Sequence, residues 1–139
     1  FNTNIASSGI GYNTGTGVFT LTAGKTYKIQ SEIAFQQECV IWFHNQYPEL
    51  RGLLFHVRNN SSSKREGAYW KAVGVVAGVS DLIFLHGCKV HCIELKTQTG
   101  YQSPEQIEWE EKVYKQGIDY YVINSIVKFK NLIIKIIEE

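Results

Sequence analysis

The sequence predicts an α/β domain with a small mixed sheet flanked by helices, and three observations carry that expectation. From Ser31 onward the apolar spacing follows the order helix, strand, strand, strand, helix, strand. The composition is that of a globular chain: 139 residues, 44% hydrophobic, 19% charged and only 2 Pro. A domain of this size can bury a core without disulfide or metal staples. Residues 1–30 differ from the rest, holding five of the 12 glycines, six threonines and no acidic residue.

In the first segment, Gly17–Thr22 alternates weakly, and Ala23-Gly24-Lys25 reads as a turn before Thr26–Ile29. The expectation is a β-hairpin behind a Gly/Asn/Thr loop, an extension to a second unit covering 31–139. Ser31 reads as an N-cap and Glu32 as a first-turn acid for a helix reaching Gln46 before Pro48, with Phe35, Cys39, Trp42 and Phe43 as its apolar stripe. Leu53–Val57 reads as a strand, Asn59–Arg65 as a polar loop, and Ala68–Val76 as a short helix. Asp81–His86 and Lys89–Lys96 form a strand pair around a tight turn at His86-Gly87-Cys88. Ser103, Pro104 and Gln106 are a capping-box start for a helix that stops near Gly117. Tyr120–Asn124 is a further strand, and Val127–Glu139 is a last amphipathic or extended element.

Lys plus Arg number 14 and Asp plus Glu 13, a net charge of +1, so any basic surface is local. No apolar run reaches the roughly 18 residues of a membrane span, and no signal peptide is visible. The absence of Met and the start at Phe1 predict a trimmed product, a fragment or a fusion. The odd count of cysteines, Cys39, Cys88 and Cys92, predicts reduced thiols in a cytoplasmic protein. A zinc site from Cys88, Cys92, His86 and His91 is the alternative, although the paired CxxC hooks of such sites are missing.

The chemistry centres on Asp81, Glu94 and Lys96. Strand residues two apart share a face, so Glu94 and Lys96 project together while Leu95 turns into the core. A tight turn between the strands brings Asp81 beside Glu94. Adjacent carboxylates repel unless a cation lies between them, and a hard divalent ion such as Mg²⁺ or Mn²⁺ suits oxygen ligands. Beside such an ion, Lys96 would orient a water whose pKa the metal lowers for attack on a phosphodiester. An E-x-K on a strand is otherwise a surface ion pair of little energetic weight. The glycines of Gly74-x-x-x-Gly78 ahead of Asp81 permit close backbone approach, as a phosphate backbone would require.

Gly78-Val79-Ser80-Asp81-Leu82-Ile83, Ile93-Glu94-Leu95-Lys96, Gly100, Ser103-Pro104-Glu105-Gln106 and Gly117 together resemble the VRR-NUC family of the PD-(D/E)XK nuclease superfamily, with Ser80 where the family usually has Pro. The resemblance covers about residues 31–125, and Glu32 with Gln36 or Gln37 looks like the family's first-helix positions. It implies a restriction-endonuclease-like α-β-β-β-α-β core. It also implies that Asp81, Glu94 and the Leu95 carbonyl hold the metal, that Lys96 activates or positions water, and that Glu32 is a more distant or water-mediated acid. Gln106 would contact substrate or help position the water; its other reading is a capping residue, and both can hold. The activity implied is a phage-type, metal-dependent DNA endonuclease cutting branched or flapped DNA as a homodimer, in replication, repair or recombination. The phrase GYNTGTGVFTLTAGKTYKI separately resembles the opening strands of C1q-like phage tail domains.

Around this centre, Arg58, Lys64, Arg65 and Lys71 form a basic segment that either meets phosphates or is a solvated loop. Tyr69, Trp70, Tyr101 and Trp109 either stack on unpaired bases or belong to the core. His44, His56, His86 and His91 have no ligand spacing and read as core or surface histidines, with His56 and Arg58 on one face of their strand. Two other functions compete with the nuclease: a binding module that does not cut, and, from residues 1–30 alone, a fragment of a structural virion protein.

Overall fold

The structure is a computed structural model that describes the backbone at 10–13, 18–21 and 24–31, and backbone with side chains at 32–58 and 64–139. Strands β1 (Ile10–Asn13) and β2 (Val18–Leu21) pair antiparallel, with Tyr12 opposite Phe19. Helix α1 (Gly24–Gln46) follows. The N-terminal hairpin therefore uses other arms than expected: Ile10–Asn13 is a strand, and Thr26–Ile29 is helical. Ser31 lies inside α1 rather than at its cap. Strand preference at Thr26 and Ile29 is worth only fractions of a kcal/mol each, whereas extending an established helix by another turn is easy.

The main sheet has the order β3 (Leu54–His56), β4 (Leu82–His86), β5 (Lys89–Leu95), β6 (Asp119–Ile123). Its first two pairings are antiparallel and β5–β6 is parallel. The parallel pair requires a crossover, which helix α3 (Pro104–Lys115) supplies. The β4–β5 turn is Gly87-Cys88, with φ of 58° and 61°, the left-handed pair that matches the twist of a two-residue hairpin. Helix α4 (Ile126–Glu138), capped by Ser125, ends the chain. The element order is thus the expected α/β core, with helix α2 (Lys64–Ala72) inserted between β3 and β4. That helix begins four residues before the expected Ala68 and takes in Lys64 and Arg65, because Gly67 does not outweigh the helix formers around it.

Period-two alternation sends Leu54, Leu82, Phe84, Ile93, Leu95 and Ile123 to one face of the sheet. There they pack against Cys39 and Phe43 of α1 and Phe129, Ile133 and Ile136 of α4. The expected α1 stripe is therefore its core face, with Phe35 and Trp42 at the margin. Trp42 meets Phe129 edge-on at 6.0 Å and carries the Lys130 ammonium over its ring. No helix among the described residues is long and apolar enough to cross a membrane.

Gly78 has φ of 81°, and a Cβ there would overlap the carbonyl group of Glu105 in the first turn of α3. The close approach expected of this glycine is thus to the protein's own backbone. Gly74 has φ of 99° but open space around it. Gly78→Ala is expected to lose about 3 kcal/mol, the sum of left-handed strain and overlap. Gly74→Ala meets strain alone and should lose about 1 kcal/mol. Urea unfolding midpoints measure the difference, and equal losses would contradict the packing described.

Candidate active site

The β4–β5 register places Leu82 opposite Ile93, so the next pair outward is Asp81 and Glu94. Asp81 is held at both ends. Its carbonyl accepts from Val57 N at 3.2 Å and from His56 Nδ1 at 2.7 Å, so that nitrogen carries the proton. Its Oδ2 accepts from Leu95 N at 2.9 Å. Ser80, fully buried, donates its hydroxyl to the Leu82 carbonyl at 3.1 Å.

Glu94 is completely buried. Its Oε1 accepts from Lys96 Nζ at 2.7 Å and from Gln106 Nε2, while its Oε2 is buried with no hydrogen-bond partner. Burial, and then the charge of Asp81, push the Glu94 carboxyl up to about 7, with Lys96 pulling the other way. Burial also raises Asp81, opposed by the Leu95 N–H and by the charges of Lys96 and His56. A buried ion pair contributes little net stability, and an unpartnered carboxylate oxygen beside it detracts further. Packing alone does not account for such a cluster.

Gln106 combines both of its expected readings in one geometry. Its Oε1 accepts from Ser103 N at 2.8 Å and its N–H donates to Ser103 Oγ at 3.3 Å, completing the capping box, while Nε2 reaches Glu94. One side chain thus joins the start of α3 to the buried carboxylate.

Other expected residues lie outside this cluster. Glu32 sits on α1 with its Oε1 buried and unpartnered, and no hydrogen bond links it to Asp81 or Glu94. Arg58, Lys64, Arg65 and Lys71 are exposed, and Arg58 lies beyond the end of β3, so it does not share a strand face with His56. The zinc alternative fails on strand alternation: His91 and Cys92 are neighbours on opposite faces of β5, and Cys88 is exposed in the turn. Among the described residues no three His, Cys, Asp or Glu side chains gather as a metal cluster. His91 is buried, stacked on Tyr121, with its pKa lowered chiefly by burial. Tyr69, Trp70 and Tyr101 are exposed rather than core, while Trp109 packs on Tyr120 at 5.9 Å.

Near the cluster, Gln102, Glu110 and Tyr120 were not singled out by the sequence, and His56 was seen without its role. Gln102 Nε2 donates to Glu110 Oε2 at 2.6 Å and lies 3.4 Å from the Tyr120 hydroxyl. Burial, followed by the negative charge of Glu94, raises the Tyr120 pKa, which keeps the phenol protonated. His56 was visible only as one histidine among four, since its bond to the Asp81 carbonyl depends on the register of β3.

The donor set fits a hard divalent ion. Two carboxylates meet at one sheet end, one with an oxygen that nothing else satisfies, and a Mg²⁺-type ion needs only one or two protein carboxylates with water completing its shell. In the metal-free protein the two carboxyls have a definite signature. A carboxyl whose folded pKa is raised stabilises the fold fully below its ordinary value, here 4.5, and loses that contribution as pH rises through about 7. The melting temperature of the wild type should therefore fall relative to that of Glu94→Gln between about pH 5 and 8. Parallel melting profiles would show that Glu94 is not held in this environment.

No protein-family model matches the sequence, and no curated protein matches it. Among solved structures, a "VRR_NUC domain protein" superposes with a TM-score of 0.65 at 27% identity, over 77% of this chain and 88% of that one. A second, titled "VRR_NUC domain", gives 0.47 at 19% identity, over 70% of this chain and 91% of that one. The first of these likenesses, together with the mixed sheet, shows a PD-(D/E)XK-like fold and supports the resemblance to VRR-NUC nucleases.

Proposed function

We propose that this chain is a Mg²⁺- or Mn²⁺-dependent DNA endonuclease that hydrolyses phosphodiester bonds in flapped or branched DNA, working as a homodimer in phage replication, repair or recombination. The observation that carries the reading is the buried Glu94, with its unpartnered Oε2, beside the half-buried Asp81. We assign this activity to residues 31–139, the span that holds Asp81, Glu94 and Lys96.

In this reading Asp81, Glu94 and the Leu95 carbonyl hold the ion. When bound, the ion supplies Lewis acidity: it lowers the pKa of a water and offsets charge on the phosphate. The Lys96 ammonium lies against Glu94 Oε1, where it would orient the attacking water and face the negative charge that builds on the phosphate. Gln106 positions Glu94 through Oε1, leaving Oε2 to the ion. Glu32 is the more distant acid, acting through water. Arg58, Lys64, Arg65 and Lys71 meet the DNA backbone, a small set of contacts in keeping with a net charge of +1.

The test is cleavage of labelled duplex, flap and four-way-junction DNA with Mg²⁺, Mn²⁺ or EDTA. Wild type should cut only with metal, and Glu94→Ala and Lys96→Ala should each lower the rate at least about 100-fold while remaining folded. A fully active Glu94→Ala protein would contradict the mechanism. A folded wild type that binds DNA and never cuts would leave a binding module on the same fold.

A further inference from the structure

We infer that helix α2 is a stacking platform for an unpaired nucleic-acid strand, with Tyr69 and Trp70 as its rings, so that α2 selects the single-stranded arm of the substrate; this rests on the proposed nuclease reading and names what sets its substrate preference. The helix contributes no buried residue to the core. Tyr69 is 62% exposed and Trp70 38%, with ring centroids 5.2 Å apart and planes at 72°. Two adjacent large rings on a helix that packs little into the fold are not explained by stability. The Trp70 indole N–H donates to Glu66 Oε1 at 3.1 Å, which fixes that ring at the surface.

Charge and topology point to the same occupant. Helix α2 exposes Lys64, Arg65 and Lys71 and holds one acid, Glu66, which already accepts from Trp70. Helix α3 carries four acids, Glu105, Glu108, Glu110 and Glu111, against Lys112 and Lys115. An anionic strand is therefore favoured along α2. The segment containing α2 is tied at both ends to the candidate site: Val57 N and His56 Nδ1 hold the Asp81 carbonyl where the segment departs, and the chain returns to Asp81 nine residues after Ala72. The return is closed by bonds from Val73, Gly74 and Val75 to the last turn of α2, and then by Gly78 against α3. Inside a duplex the faces of each base pair are covered by the pairs stacked above and below, so exposed rings stack on unpaired bases rather than on the body of a duplex.

The experiment measures binding by fluorescence anisotropy in EDTA, where no cutting occurs, on three probes: a labelled single-stranded oligothymidine, a duplex with a single-stranded arm, and a blunt duplex. The full chain is compared with Tyr69→Ala/Trp70→Ala and with Trp70→Phe, each checked by circular dichroism. The double variant should bind the single strand and the armed duplex about tenfold more weakly. Blunt duplex binding should be unchanged, and Trp70→Phe should keep most of the affinity. Unchanged binding of the single strand, no single-strand binding by wild type, or an equal loss on all three probes would overturn the inference. Cleavage is scored separately: a wild type that binds arms through Trp70 but never cuts fails the nuclease reading alone. One that cuts, with arm binding indifferent to both rings, fails the stacking platform alone.

Discussion

A fully buried carboxylate, Glu94, set beside the half-buried Asp81 is the constraint on which the rest of the site depends. Asp81 and Glu94 meet because the Gly87-Cys88 turn sets the β4–β5 register. A slip of one residue would send Glu94 to the opposite face and Leu95 out of the core. The hydrophobic pattern of β5 therefore fixes the chemistry: the burial of Ile93 and Leu95 on one side leaves Glu94 no choice of direction. Around the pair, the Leu95 N–H, the Lys96 ammonium and the Gln106 amide satisfy three oxygen contacts and leave Glu94 Oε2 unsatisfied.

Helix α3 is bound to this point more closely than a crossover needs to be. Gly78 lets the strand leading to Asp81 press against the backbone of Glu105, and Gln106 spans the capping box and Glu94. The first turn of α3 thus stands beside a buried carboxylate, where the positive end of the helix dipole favours negative charge. Cap, glycine and carboxylate form one mechanical unit, so that a change at any of them is felt at the others.

Much of this was legible in the sequence, for identifiable reasons. Strand alternation and a short turn suffice to bring Asp81 to Glu94 and Lys96, and the Ser103-Pro104-Gln106 signal is local to its helix. What escaped depends on contacts between distant segments. The start of α1 at Gly24 competes with weak strand preferences at Thr26 and Ile29. The neighbour of Gly78 is α3 rather than a ligand, which no pattern around residues 74–78 reveals. Aromatic spacing reads alike for a core and for a surface, so the exposure of Tyr69, Trp70 and Tyr101 emerges only with the fold. Glu32 was expected near the carboxylates; its buried, unpartnered Oε1 is present, but no direct bond to them is.

The measurement closest to the central claim is Mn²⁺ binding to the full chain without DNA, followed by electron paramagnetic resonance at pH 7.5. The account predicts one Mn²⁺ per chain in the wild type and loss of that site in Asp81→Asn and in Glu94→Gln. Mn²⁺ bound equally by wild type and both variants, or an ion held wholly by other residues, would contradict the assignment of the carboxylate pair as the metal site.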